Sequence, residues 1–213
     1  MPIRDERKRQ SRQAIIDAAL RLSTSGRSFN SISLREISRE IGLVPTAFYR
    51  HFKDMDALGL ELVDQISLNL KSTLHQIGQS YVYQPEAKID KSLEFFFQTI
   101  HQHTEDWVFI ITERWGASQV IRKAIAREIE YLVEDLAIDL QRLASTKHIQ
   151  KLDDLKNLAH LVVNLAFNWV MAWIELSRQF EEPVLAQQQQ LLQMQSLTQM
   201  RLLFHGILNW ESN

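Results

Sequence analysis

An all-α fold of about nine helices is the architecture this chain predicts, and two observations carry it. The first is punctuation: 213 residues contain only 6 glycines and 4 prolines, fewer than a sheet protein of this size needs for its turns. The second is periodicity: apolar residues return every three or four positions through long segments, the spacing that lines one face of a helix. Hydrophobic residues at 45% and charged residues at 23% are an ordinary balance for a globular chain with a core. No cysteine is present, which excludes a disulfide framework and thiolate chemistry and suits a cytoplasmic setting.

Along the chain, the first helix is expected over about 5–25, with Ile15, Ala18, Ala19 and Leu22 on its apolar stripe. Arg4, Arg7, Lys8, Arg9 and Arg12 fall on the exposed phase, and Gly26 is the expected stop. Opening "MPIRDERKRQSRQ", this segment has no apolar h-region and does not read as a signal peptide. In "SLREISREIG" Ser33 precedes Glu36 by three residues, a capping box, and Leu34, Ile37 and Ile41 share one face while Arg35 and Arg39 lie elsewhere. Gly42 ends that helix and Leu43-Val44 turn. Pro45 then suits the first position of a helix over 45–52, where its missing N–H costs nothing. Helix, glycine-containing turn, short helix is the spacing of a helix-turn-helix. Ala47, Phe48 and Phe52 face its core, and Thr46, Tyr49, Arg50 and His51 face outward.

From residue 54 the pattern is long helices. Asp54 or Asp56 caps one over 56–80 carrying Leu58, Leu62, Ile66, Leu70, Leu74 and Ile77, and Pro85 breaks the chain. Helices follow over about 87–103 and 105–114, then, after Gly116, a long one with apolar residues at 121, 125, 129, 132, 136, 140 and 143. Two more, 153–178 and 185–210, meet near Pro183, and the glutamine run 187–190 sits inside the second. The segment 158–176 is strongly apolar but carries His160, Asn164 and Asn168, so it reads as a buried helix rather than a membrane span.

Charge divides this chain unevenly. Residues 1–53 hold 11 Lys+Arg against 5 Asp+Glu, a net of +6; residues 54–213 hold 13 against 21, a net of −8. A basic head of 1–53 on an acidic body of 54–213 suggests that the head meets an anion. No phosphate-cradling glycine loop, nucleophile elbow or HExxH is present, so neither an enzyme nor a cofactor is implied. His101 and His103 are two apart and His160 lacks a partner at i+4, so no metal site is expected either.

With those residues in place, "RQAIIDAALRLSTSGRSF" and "SLREISREIGLVPTAFYRHFKDMDAL" resemble the first helix and the DNA-binding head of TetR-type transcriptional repressors. The head and "ERWGASQVIRKAIAREIEYLVEDLAIDL" are similar to the FabR/DesT group, which represses unsaturated fatty-acid synthesis. Those members often read Arg-Ser-Gly where this chain has Arg114-Trp115-Gly116. The resemblance implies a homodimer on a palindromic double-stranded DNA operator. Thr46, Tyr49 and His51 would meet phosphates or base edges, and Pro45 and Ala47 thymine methyls. Arg50 is built for a bidentate guanine contact but equally for a phosphate. Ser33, Arg35 and Lys53 complete the DNA-binding set, and Arg4, Arg7 and Arg9 add sequence-independent attraction. Tyr49 also reads as a packing residue, His51 as a surface histidine, and the tail as solubilising charge.

The body would sense a hydrophobic effector, in the related repressors a long-chain acyl-CoA. Phe96, Phe97, Ile100, Trp107, Ile111, Trp115, Ile125, Ile129 and Val133 are the expected lining, the alternative being ordinary core. Arg114, Arg122, Lys123 and Arg127 are cations for its head group. Helices 153–178 and 185–210 are the expected dimer pair, through Leu197, Met200, Phe204, Ile207 and Leu208, or else they complete the monomer core. Asn157, His160, Asn164 and Asn168 form a polar stripe readable as a dimer seam, the polar end of a ligand site, or solvent face. Alternatives to the lipid repressor are a TetR-type repressor of another hydrophobic-ligand or efflux pathway, a lipid-acting helical enzyme, and a protein-binding helical adaptor.

Overall fold

A computed structural model describes the backbone of residues 2–83 and 89–210 and the side chains of 5–72, 90–143 and 145–210. Among the described residues the protein is all-helical, with nine α-helices: α1 (Pro2–Thr24), α2 (Leu34–Glu40), α3 (Pro45–Phe48), α4 (Met55–Tyr83), α5 (Ile89–Gln102), α6 (Thr104–Glu113), α7 (Gln119–Gln141), α8 (Leu152–Gln179) and α9 (Val184–Leu208). Short 3-10 turns lie at Phe29–Ser31 and Ala144–Thr146. Element order follows the periodicity closely. The expected break at Pro85 and the side chains of Arg4, Leu74 and Ile77 lie outside the described residues.

Two compact units result. One comprises Met1–Asn69 with Glu105–Glu128, the other Leu70–Thr104 with Ile129–Asn213, so α4 and α7 each contribute residues to both.

In the first unit, α1 buries Ile15, Ile16, Ala18 and Ala19, as its stripe requires. Beyond the end of α1, Gly26 takes φ +89, a left-handed conformation that side chains rarely tolerate. The link to α2 then drives Phe29 into the core. At the start of α2 the capping box is complete: Glu36 N–H donates to Ser33 Oγ and Ser33 N–H to Glu36 Oε2. Arg27 reaches Glu36 at 2.9 Å. That hydrogen bond, with those from Ser33, holds the Glu36 carboxyl down at about 2. A cap of this kind is worth about 1 kcal/mol. Gly42, at φ +67, closes the other end, and Leu43 N–H bonds back to Ser38 C=O.

Pro45 opens α3 as expected, but the helix is shorter than the two turns read from sequence. Only Pro45–Phe48 is α-helical. Arg50 and His51 donate to carbonyls three residues back, which tightens the coil into a turn. Phe48 and Phe52 are buried with ring centroids 5.7 Å apart. Asp54, not Asp56, caps α4 by accepting the Ala57 N–H. Asp56 instead accepts from Ser118 Oγ at 3.1 Å. Leu58, Leu62 and Ile66 of α4 are buried.

In the second unit α5 and α8 share aromatic packing. Phe97 lies 4.9 Å from Trp173 and Phe96 6.2 Å from Trp169, centroid to centroid. Each fully buried ring of this size adds about 1.5–3 kcal/mol. Trp169 Nε1 donates to Gln199 of α9 at 2.6 Å. Among the described residues α8 alone is long and apolar enough to cross a membrane, by length and composition. It is a core helix here, burying Leu155, Leu158, Val163, Phe167, Val170 and Ile174 beside its two tryptophans.

Candidate nucleic-acid and effector sites

One edge of the α2–α3 segment packs and the other faces solvent. The capping box orients α2, the Gly42 turn reverses the chain, and the two phenylalanines hold α3 down. What remains outward is a run of polar groups. Tyr49 is 60% exposed, its ring standing edge-on to Phe48 at 5.8 Å. Ser33, Arg35, Pro45, Thr46, Arg50 and Lys53 are exposed, and Ala47 and His51 half-buried. All nine candidate DNA-contacting residues therefore lie on one continuous segment, with seven of them outward. Val44, the N-cap residue of α3 just before Pro45, is apolar and 64% exposed.

His51 sits among cations. Burial lowers its pKa first, and the charges of Lys8, Arg12 and Arg50 lower it further. Its Nδ1 is buried without a hydrogen-bond partner. The imidazole is thus held toward the neutral form until an anion arrives. A DNA phosphate placed at this cluster would reverse the balance and favour the imidazolium, so binding there would take up a proton. Affinity for duplex DNA is expected to rise as pH falls from roughly 8 to 6, and His51→Asn to flatten that dependence. Fluorescence anisotropy across that range measures it; a pH profile unchanged by the substitution refutes the proton uptake.

Arg12 corrects its sequence reading. It does not lie on the free exposed face of α1. Its Nη1 donates to Glu61 Oε1 of α4 at 2.7 Å, and its guanidinium covers the Phe52 ring at 4.8 Å. The Arg12 hydrogen bond lowers the Glu61 pKa against the opposing effect of burial. Arg12 therefore clamps α1, the end of the helix-turn-helix and α4 together.

Of the candidate effector residues, Trp107 and Ile125 are buried in the first unit and Ile111 and Arg114 half-buried. Trp115, expected as lining, instead stands 81% exposed with the Arg114 guanidinium 5.7 Å from its ring. In the second unit Phe96, Phe97, Ile100 and Val133 are buried and Ile129 half-buried. Two of the expected head-group cations are already engaged: Arg122 donates to the Gly116 and Ala117 carbonyls, and Arg127 pairs with Glu128. On α9 the expected dimer stripe divides, with Ile207 buried, Leu208 exposed and Leu197, Met200 and Phe204 half-buried. Beside Leu208, the large apolar residues exposed on α8 and α9 are Leu152, Leu161, Met171, Val184, Leu191, Met194 and Leu202. Asn157, His160, Asn164 and Asn168 are all exposed on α8, with His160 Nε2 3.9 Å from Glu130.

The chain is similar to known proteins at both ends. Residues 15–62 match a family described as bacterial regulatory proteins, tetR family, and residues 85–198 one described as tetracyclin repressor-like, C-terminal domain. An uncharacterized HTH-type transcriptional regulator of Haemophilus influenzae is 40% identical over 135 residues, 63% of this chain. The match spans 65% of that relative's length. Two solved structures share the fold. The reduced form of NemR from E. coli aligns with a TM-score of 0.65 at 18% identity, covering 91% of this chain and 97% of its own. The fatty acid degradation regulator FadR of Bacillus halodurans aligns at 0.60 and 13% identity, covering 85% and 94%.

Proposed function

The chain belongs to the TetR family of transcriptional regulators, and from that premise we propose a ligand-responsive homodimeric repressor whose head, 1–53, reads a palindromic operator and whose body, 54–213, senses a long-chain fatty acyl-CoA or fatty acid. The observation that carries the DNA-reading half is the two-sided α2–α3 segment. Buried Phe48 and Phe52 hold it, and Thr46, Tyr49 and Arg50 face out.

A major groove about 12 Å wide admits one such element. A reading helix this short meets few bases, so useful affinity requires two heads, set roughly 34–36 Å apart to match successive half-sites. Exposed Leu161 and Met171 of α8, interleaved with Asn164 and Asn168, and exposed Leu191, Met194 and Leu202 of α9 are apolar groups that a second copy would cover.

The effector assignment, and with it control of fatty-acid genes, rests on the FabR/DesT-like stretch 113–140 and on the buried aromatic residues of α5 and α6. Anisotropy titration of pure protein against its selected duplex, with palmitoyl-CoA, with oleoyl-CoA and with neither, tests it. The expected difference in affinity is about 5–150-fold between states. Equal affinity in all three sinks the acyl-CoA assignment and leaves a repressor of another hydrophobic ligand.

A further inference from the structure

We propose that Glu113 is a positioning residue joining α6 to the reading head, and that through this joint DNA binding and α6 are coupled; the coupling rests on the repressor reading above.

Phe29 opens the 3-10 turn linking α1 to α2. The first N–H groups of a helical turn have no partner within it. Here the partner comes from far along the chain: Phe29 N–H donates to Glu113 Oε1 at 2.8 Å, in a buried setting. The Phe29 ring stands edge-on to Phe109 of α6, at 6.0 Å and 89°. Gly59 of α4 faces the same ring. A Cβ there would lie 3.1 Å from Phe29 Cε1 and 2.5 Å from Ile121 Cδ1 of α7, so only glycine lets the helix approach without a shift. One head residue is thus held by α4 and α6, all within the first compact unit.

Glu113 is fully buried, and its Oε2 has no hydrogen-bond partner. A carboxyl group buried on a single neutral N–H is an unfavourable choice for packing alone. It fits a joint, because a hydrogen bond weakens steeply with misalignment and so makes or breaks over a small displacement of α6. The chain immediately folds back over the group. Gly116 N–H donates to Glu113 C=O, and a Cβ on Gly116 would collide with Oε2. That turn contains Arg114 and Trp115, both candidate effector residues.

Hydrogen exchange of the full-length protein tests the joint, first without DNA. In Glu113→Ala the Phe29 amide is expected to exchange at least about tenfold faster, with α8 amides unchanged. Glu113→Gln, which keeps a carbonyl acceptor, should remain near wild type. Gly116→Ala, which displaces the carboxylate from outside, should reproduce Glu113→Ala and serves where that variant folds poorly. An unchanged Phe29 rate in both disrupting variants overturns the joint.

The second arm adds a duplex selected by the wild-type protein from a randomised pool. Wild type and Glu113→Gln should gain protection at 107–118 when DNA binds, and the disrupting variants should not. Equal gains in all variants overturn the transmission. If the wild type selects no duplex, the repressor reading fails and takes the transmission with it, while the DNA-free arm still decides the contact.

Discussion

Replacing Phe48 by alanine is expected to destabilise the reading head by about 3–5 kcal/mol, the usual cost of truncating a fully buried phenylalanine. Its side chain is 0% exposed and contacts the rings of Tyr49 and Phe52. A domain has only about 5–15 kcal/mol to lose. The head has little else to hold its outer segment, because α3 is four residues long and too short to be stable alone. Urea unfolding followed by hydrogen exchange is expected to show 29–52 losing protection well before α8, and duplex binding to disappear. Phe48→Leu, which keeps most of the volume, should recover much of both. A Phe48→Ala protein that binds DNA as tightly as wild type would show that the segment does not need its buried side to present its polar one.

Raising salt from 50 to 200 mM is expected to weaken duplex binding by about 10³-fold if the two heads together neutralise about six phosphates. Exposed cations of the head include Arg35, Arg39, Arg50 and Lys53 on the helix-turn-helix and Arg7 and Lys8 on α1, while Arg9 pairs with Glu6 at 2.8 Å. Arg12 is excluded from that set by its pairing with Glu61. Lys53→Ala should therefore reduce the salt slope by about one per head, and Arg12→Ala should leave it nearly unchanged while altering stability. A salt-independent affinity would mean that the basic head does not meet nucleic acid, and a helical adaptor would become the better account.

Much of this protein was legible in one dimension because much of it is local. The Ser33–Glu36 box, the Gly26 and Gly42 stops and the Pro45 start are each set by hydrogen bonds or dihedral limits within a few residues. Long apolar stripes likewise announce α4, α7 and α8, since a face repeating every 3.6 residues has to be buried somewhere. The helix α3 ends at Phe48, short of the expected 52, for an equally local reason. Phe52 continues the helical spacing of Phe48, yet the chain tightens between them to bring both rings inward.

The sequence by itself thus determined the order of the helices, the caps of α2 and the packing of Phe48 and Phe52. Tertiary structure alone decided the partners. Arg12 looks like another tail cation until Glu61, 49 residues away, accepts from it. Glu113 has no partner legible in sequence, and Phe29, 84 residues away, donates to it. Trp115 looks like pocket lining until it stands in solvent. The reason is physical: periodicity records that a side chain faces some neighbour, whereas the neighbour's identity depends on how separate helices pack, and no repeat in one helix encodes the residue opposite it.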